Sequence, residues 1–287
     1  RFGDRYDGYR VRNLDLPFYL IPNIMRSRVD SQIFFDEVIP VTELEAYIKT
    51  KRNGDIPNLR LIHLVLAATV RVFALRPRIN RFVCGKKIYA HNNLRISMTI
   101  KRSLSDDGEE TNILPVFEPT DTLQDIVRKF EEALAASQDK EKNGENTTDQ
   151  MERMLAHIPT FIKTFVVFAV RNLDKVGLMP KAVYHASPFH SSAFLTDVGS
   201  LGIQSIYHHL YEFGTTSCFI SVGRRETIPY LEKDGSVSNR RILNLRFVLD
   251  ERICDGFYYA SSIKLFNRLL KNPHLLEEVP QDLPEDL

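Results

Sequence analysis

Apolar positions recur along this chain with two different periods, and the switches between them outline its elements. Residues 33–41, IFFDEVIPV, read as a strand. The next two segments, VTELEAYIKTKR and LRLIHLVLAATVRVFALRP, carry apolar residues at spacings of three and four, the signature of a helix with one buried face. In the second, Ile62, Leu64, Val65, Ala68, Val72 and Leu75 form that face, and Pro77 ends it. From Arg81 to Pro119 the pattern alternates and is broken by turn residues, which predicts a meander of strands. A helix follows over DTLQDIVRKFEEALAASQDKEKN, with Asp121 or Thr122 as its N-cap. The polar run 137–150 reads as a solvated helix end and loop. Residues 151–180 form an apolar helical stretch closed by Pro180. SSAFLTDVGSLGI and SCFISVGRRE predict strands around a glycine turn. RRILNLRFVLD is one more strand, and a helix over 257–271 is the last element.

These elements form one α/β domain with a mixed sheet, since no linker divides the chain. The boundaries are an N-terminal arm over 1–29, basic and aromatic and lying on another surface, a body over 30–275, and a loose acidic C-terminal tail over 276–287. At 287 residues the chain buries a core without disulfides or metals. Hydrophobic residues make up 43% and charged residues 26%, as in globular proteins. A net charge of +1 gives no extended surface for nucleic acid. The longest apolar run, FVVFAV at 165–170, is too short to span a membrane. Cys84, Cys218 and Cys254 stand singly, without the spacing of a zinc site or a disulfide framework, which suits a reducing cytoplasm.

Candidate chemistry concentrates near the C-terminal end. Asp250-Glu251-Arg252-Ile253-Cys254-Asp255-Gly256 lies between an apolar strand and an amphipathic helix. It resembles the D-H-R-x-x-D-G signature of the E2 acyltransferases of 2-oxo acid dehydrogenase complexes, and is similar to the H-H-x-x-x-D-G signature of chloramphenicol acetyltransferase. FLTDVGSLG at 194–202 looks like the F-T-I-S-N-L-G segment of the E2 catalytic domain, and FISVGRRE like its A-V-G-x-x-E strand. LVLAATVRVFALRPRINRFVCGKKI resembles the family's long helix, P-x-x-N turn and following strand.

The resemblance implies a chloramphenicol acetyltransferase-like α/β fold, a mixed sheet flanked by helices, that forms trimers. Each site would lie in a channel between subunits, with CoA or acyl-CoA entering from one mouth and the acceptor from the other. It implies self-association, up to a larger cage, and a place beside other subunits of a 2-oxo acid dehydrogenase complex. It implies no metal. The chain shows no lipoyl segment, so it reads as a free-standing relative, and residues 150–190 form an insertion relative to the family.

The resemblance also assigns residues. The family's heptad His is the general base that takes the thiol proton, and Glu251 occupies its place. Reference pKa values for a glutamate carboxyl and a thiol, about 4.3 and 8.5, differ by roughly four units. The carboxylate is therefore a poor thiol base unless burial raises its pKa. Asp255 corresponds to an organiser that pairs with a basic side chain, Arg252 or another; it also reads as a plain helix N-cap. Thr196 matches the hydroxyl that donates to the tetrahedral oxyanion, or is an ordinary strand threonine. Asp197 stands where the family has Asn. His208 and His209, and His190, are alternative bases, with packed structural histidines as the default reading. If Glu251 is not a base, the chain is a silent trimeric scaffold or CoA-binding homologue. Many arginines lie near Glu251 in the sequence, which predicts that it is ion-paired, because a buried carboxylate is costly alone.

Overall fold

A computed structural model describes residues 3–101, 110–142 and 158–286. Strand β2 (Gln32–Pro40) and helix α2 (Thr42–Arg52) follow the sequence pattern closely. Helix α3 (Leu61–Leu75) ends at the residue before Arg76-Pro77, where proline forbids continuation. Its predicted single apolar face is a correction: every residue from His63 to Ala74 is buried. Leu66, Ala67, Val70, Phe73 and Ala74 give it a second apolar side, so it lies inside the core between the sheet and other helices.

The meander resolves into β3 (Arg81–Cys84), β4 (Lys87–His91), β5 (Leu94–Lys101), β6 (Glu110–Ile113) and β7 (Val116–Phe117); residues 102–109 lie outside the described residues. Helix α4 (Leu123–Lys142) starts after Thr122, whose backbone N–H and hydroxyl both reach Asp125 Oδ2, a capping pair. It runs to Lys142, through the helix end expected in the polar run; the rest of that run and residues 151–157 of the apolar stretch fall outside the described residues. Helices α5 (Thr160–Lys175) and α6 (Lys181–Ala186) follow, then β8 (Ala193–Asp197).

The last strands are longer than their sequence pattern suggested. β9 (Cys218–Leu231) and β10 (Val237–Asp250) form a hairpin whose inner halves are buried and outer halves exposed. The outer halves, exposed and paired only to each other, have no core beneath them to impose a regular apolar alternation. Helix α7 (Gly256–Lys271) closes the body.

The main sheet runs β2-β10-β9-β8-β5-β6, with β7 also on β5. β8 is parallel to β5 and to β9, and the other pairings are antiparallel, so the sheet is mixed as expected. Leu243, Leu245, Phe247 and Leu249 alternate toward the helical layer, where α3 and α7 cover them. The other face carries Val248, Phe219 and Phe194 in a second, smaller cluster with Leu210.

Both ends of the chain are tied to the body. β1 (Gly8–Arg10) adds to β4, and α1 (Leu16–Ile24) follows it. Arg5 is buried between Asp7 (2.7 Å) and Asp174 (2.6 Å). The tail expected to be loose is anchored: Asp286 is buried against Arg81, Nη2 to Oδ1 at 2.5 Å, and Leu276 lies in the core. An acidic tail reads as solvated until a buried arginine elsewhere needs its carboxylate. Among the described residues no helix is long and apolar enough to cross a membrane.

Candidate active site

The heptad begins where β10 stops. Asp250 is fully buried and paired across the ladder with Gln32. Its carboxylate accepts from Arg252 Nε and Nη2, both at 2.8 Å, and from the Arg252 backbone N–H at 3.1 Å. A second buried guanidinium, Arg28, stands with Nε 3.7 Å from Asp250. Arg28 also donates to the backbone oxygens of Tyr211 (2.6 Å), Gly214 (3.1 Å) and Val83 (3.3 Å), so it joins the arm, strand β3 and the loop before β9. Burial lowers its pKa, and Asp250 opposes that shift. Nothing in the pattern around Arg28 marked it, because its partners lie up to 222 residues away in sequence.

Glu251 follows on the turn and is exposed. Its backbone N–H donates to Ser31 O at 2.8 Å. Among the described residues no cation pairs with its carboxylate, which corrects the expected ion pair. The neighbouring arginines are committed elsewhere: Arg252 to Asp250, Arg246 to Asp36, Arg240 to Glu232 and Arg241 to Glu45. Nearness in sequence misled, because β10 is extended and carries Arg240 and Arg241 about 30 Å from its end.

Asp255 is the N-cap of α7, accepting from Tyr258 N–H at 2.8 Å, and it is exposed. Arg252 is engaged by Asp250 and not by Asp255.

Thr196 is half-buried at the end of β8, and among the described residues nothing bonds to its hydroxyl. Asp197 beside it accepts from Ser200 N–H at 3.2 Å; burial raises its pKa, and the Ser200 and Gly199 N–H groups pull it back. The turn after β8 packs directly on β9. A Cβ on Gly199 would meet Gly223 O at 2.3 Å, and one on Gly223 would meet Ser205 N at 2.4 Å, so both positions require glycine. Thr196 opens on a cavity of about 280 Å³ lined also by Arg60, Met98, Phe130 and Ser200.

One chain does not bring these groups together. Thr196 pairs with Ser221, and Ser221 with Arg246, so Glu251 lies five residues further along and two strands over. At sheet spacings that is about 16 Å along the strands and about 10 Å across them, roughly 19 Å in all.

The three histidines occupy structural positions. His208 stacks on Phe219 with centroids 4.2 Å apart, and burial lowers its pKa. His209 stacks on His208 and is exposed. Their loop crosses the sheet face, with Ile206 N–H on Ser221 Oγ (3.1 Å) and Leu210 N–H on Gln32 Oε1 (2.6 Å). His190 is buried, its Nδ1 2.7 Å from Ser187 Oγ. Its Nε2 faces Asp174 at 3.4 Å without the alignment of a hydrogen bond. Burial would raise the Asp174 pKa, but His190 and Arg5 hold it down at about 2. All three cysteines are buried thiols, and among the described residues no three His, Cys, Asp or Glu side chains gather as a metal site would require.

Residues 189–277, which hold Thr196 and the whole heptad, match the family model for the catalytic domain of 2-oxoacid dehydrogenases acyltransferase. No curated protein matches in sequence. Among solved structures, a probable dihydrolipoamide acetyltransferase from Listeria monocytogenes 4b F2365 superposes with a TM-score of 0.57 at 14% identity, over 95% of this chain and 98% of that one. The cubic core of a pyruvate dehydrogenase multienzyme complex gives 0.56 at 13%, over 93% and 94%. This chain therefore has the fold of the E2 acyltransferase catalytic domain. The truncated catalytic core of the 2-oxoacid dehydrogenase complex from Thermoplasma acidophilum shares the same E2 fold, with a TM-score of 0.51 at 14% identity over 91% and 97%. On this E2 framework Glu251 holds the second place of the heptad and Thr196 the end of the central parallel strand.

Proposed function

We propose that the chain is an E2-type acyltransferase that moves an acyl group between CoA and a thiol or other acceptor, at sites completed between copies of itself in a homotrimer. The observation that carries this reading is the separation of the two half-sites. Thr196, with its hydroxyl unoccupied, and the Asp250–Arg252–Arg28 cluster beside Glu251 lie on one sheet but too far apart to act together. A second copy is needed to set one against the other. Apolar surface agrees with this: α1 leaves Leu16, Leu20 and Ile24 exposed, and β2 leaves Phe34 and Val38 exposed. In such a site Thr196 donates to the oxyanion, worth about 3 kcal/mol for one preorganised donor, and Glu251 faces the thiol. Further assembly into a cage, and association with other subunits of a 2-oxo acid dehydrogenase complex, belong to the same reading.

The test is thiol release from several acyl-CoAs with candidate acceptors. Activity that falls by roughly 100-fold in Thr196→Ala supports the proposal. A second reading, a silent trimeric scaffold, rests on the exposure of Glu251: the chain's own fold does not desolvate its carboxylate. Wild type at background with every donor, together with measurable turnover by Glu251→His, overturns the first reading in favour of the second.

A further inference from the structure

A cavity of about 230 Å³ lies beside the heptad, between the arm, the β3–β4 turn, α5 and the loop before β9. Its walls carry six cationic side chains, Arg26, Arg28, Lys86, Arg171, Lys175 and Arg252, from four separate parts of the chain. The carboxylates on the lining are Asp174 and Glu212. Both are engaged: Asp174 by Arg5, and Glu212 by the Val29 N–H at 2.7 Å. Arg28 and Arg252 are buried and held by Asp250 and by backbone oxygens, so this wall is rigid. The other four cations are exposed, and among the described residues none of them has an ion-pair partner. Like charges turned toward one concavity repel unless an anion sits between them. Rigid guanidinium groups backed by flexible ammonium groups are the usual donors to phosphate.

We infer that this cavity binds the phosphate or diphosphate group of a phosphorylated small molecule, with α5 supplying Arg171 and Lys175 as two of its donors. The volume holds such a group and not a whole nucleotide, so the rest of the ligand lies outside it. The site stands independently of the acyl-transfer reading, except that CoA as the source of the phosphate rests on that reading. Arg252 links the two places, since its neighbour in sequence is Glu251.

Calorimetry with inorganic pyrophosphate, CoA and dephospho-CoA tests the inference without any activity readout. The wild-type chain is expected to bind pyrophosphate saturably and more weakly as salt rises. The surface variant Arg171→Gln/Lys175→Gln should weaken binding by roughly tenfold or more. A control of equal charge change elsewhere, Lys233→Gln/Lys271→Gln, should leave it intact. CoA binding more tightly than dephospho-CoA, with the gap closed in the α5 variant, identifies the 3′-phosphate of CoA as the occupant. Pyrophosphate binding that CoA does not displace identifies a separate phosphorylated ligand. No saturable binding, or equal weakening by the α5 variant and the control, overturns the inference. Loss of acyl transfer in Thr196→Ala with pyrophosphate binding unchanged shows that the two readings stand or fall apart.

Discussion

At the scale of single residues, the heptad divides its carboxylates by burial. Asp250 is fully buried and balances two arginines, while Glu251, next to it, reaches solvent. Removing one partner of a buried charge cluster leaves the other charges uncompensated. Asp250→Asn should therefore cost about 3–5 kcal/mol in urea unfolding. Glu251→Gln should stay within about 0.5 kcal/mol of wild type in the same experiment, because it has no buried partner to abandon. A large loss in Glu251→Gln would mean that a neighbouring copy supplies a cation to it.

At the scale of elements, caps and close contacts hold the site segments. Asp255→Ala removes the side-chain acceptor at the start of α7 and should lower stability by about 1 kcal/mol, with little effect on the Asp250 cluster. Far-ultraviolet circular dichroism against urea reads this directly. Gly223→Ala is expected to be much worse, since its Cβ would lie 2.4 Å from the Ser205 backbone and 3.2 Å from Asn244 O. Backbone on both sides cannot yield as a flexible side chain would. The loop 203–211, which packs His208 on the sheet, should detach with it, visible as faster amide exchange at Ile206 and Leu210.

For the whole molecule, buried histidines set the acid limit. Burial, with Arg60 and Arg52 nearby, drags the His63 pKa down to about 3, and burial lowers that of His91 to about 4. An unfolded histidine titrates near 6.5. Between pH 4 and 6.5 the unfolded chain thus binds more protons than the folded one, and stability rises with pH. His63→Gln should reduce that slope by up to about 1.4 kcal/mol per pH unit, measured by urea midpoints across the window. Assembly has its own test at this scale. Co-refolding chains carrying Thr196→Ala with chains carrying Glu251→Gln should restore part of the thiol release that neither variant shows alone, if sites form between copies. No restoration in verified mixed assemblies would overturn the pairing of Thr196 and Glu251 across copies.

The residue pattern alone determined the order and type of most elements. Helices α2, α3, α4 and α7 and strands β2, β8 and the inner half of β10 are legible because burial against a core imposes period 3.6 or 2 on their apolar residues. The heptad was legible as a strand–turn–helix junction for the same reason. The outer β9–β10 hairpin was not, since paired strands without a core show no such period. Only the tertiary structure decided who pairs with whom. Arg28 with Asp250, Arg81 with Asp286 and Arg5 with Asp174 join positions 222, 205 and 169 residues apart. No local pattern encodes a contact made by chain folding, and a carboxylate finds whichever cation the fold buries beside it. That is why Glu251 is exposed while Asp250, one residue earlier on the inward side of the last strand, holds the site together.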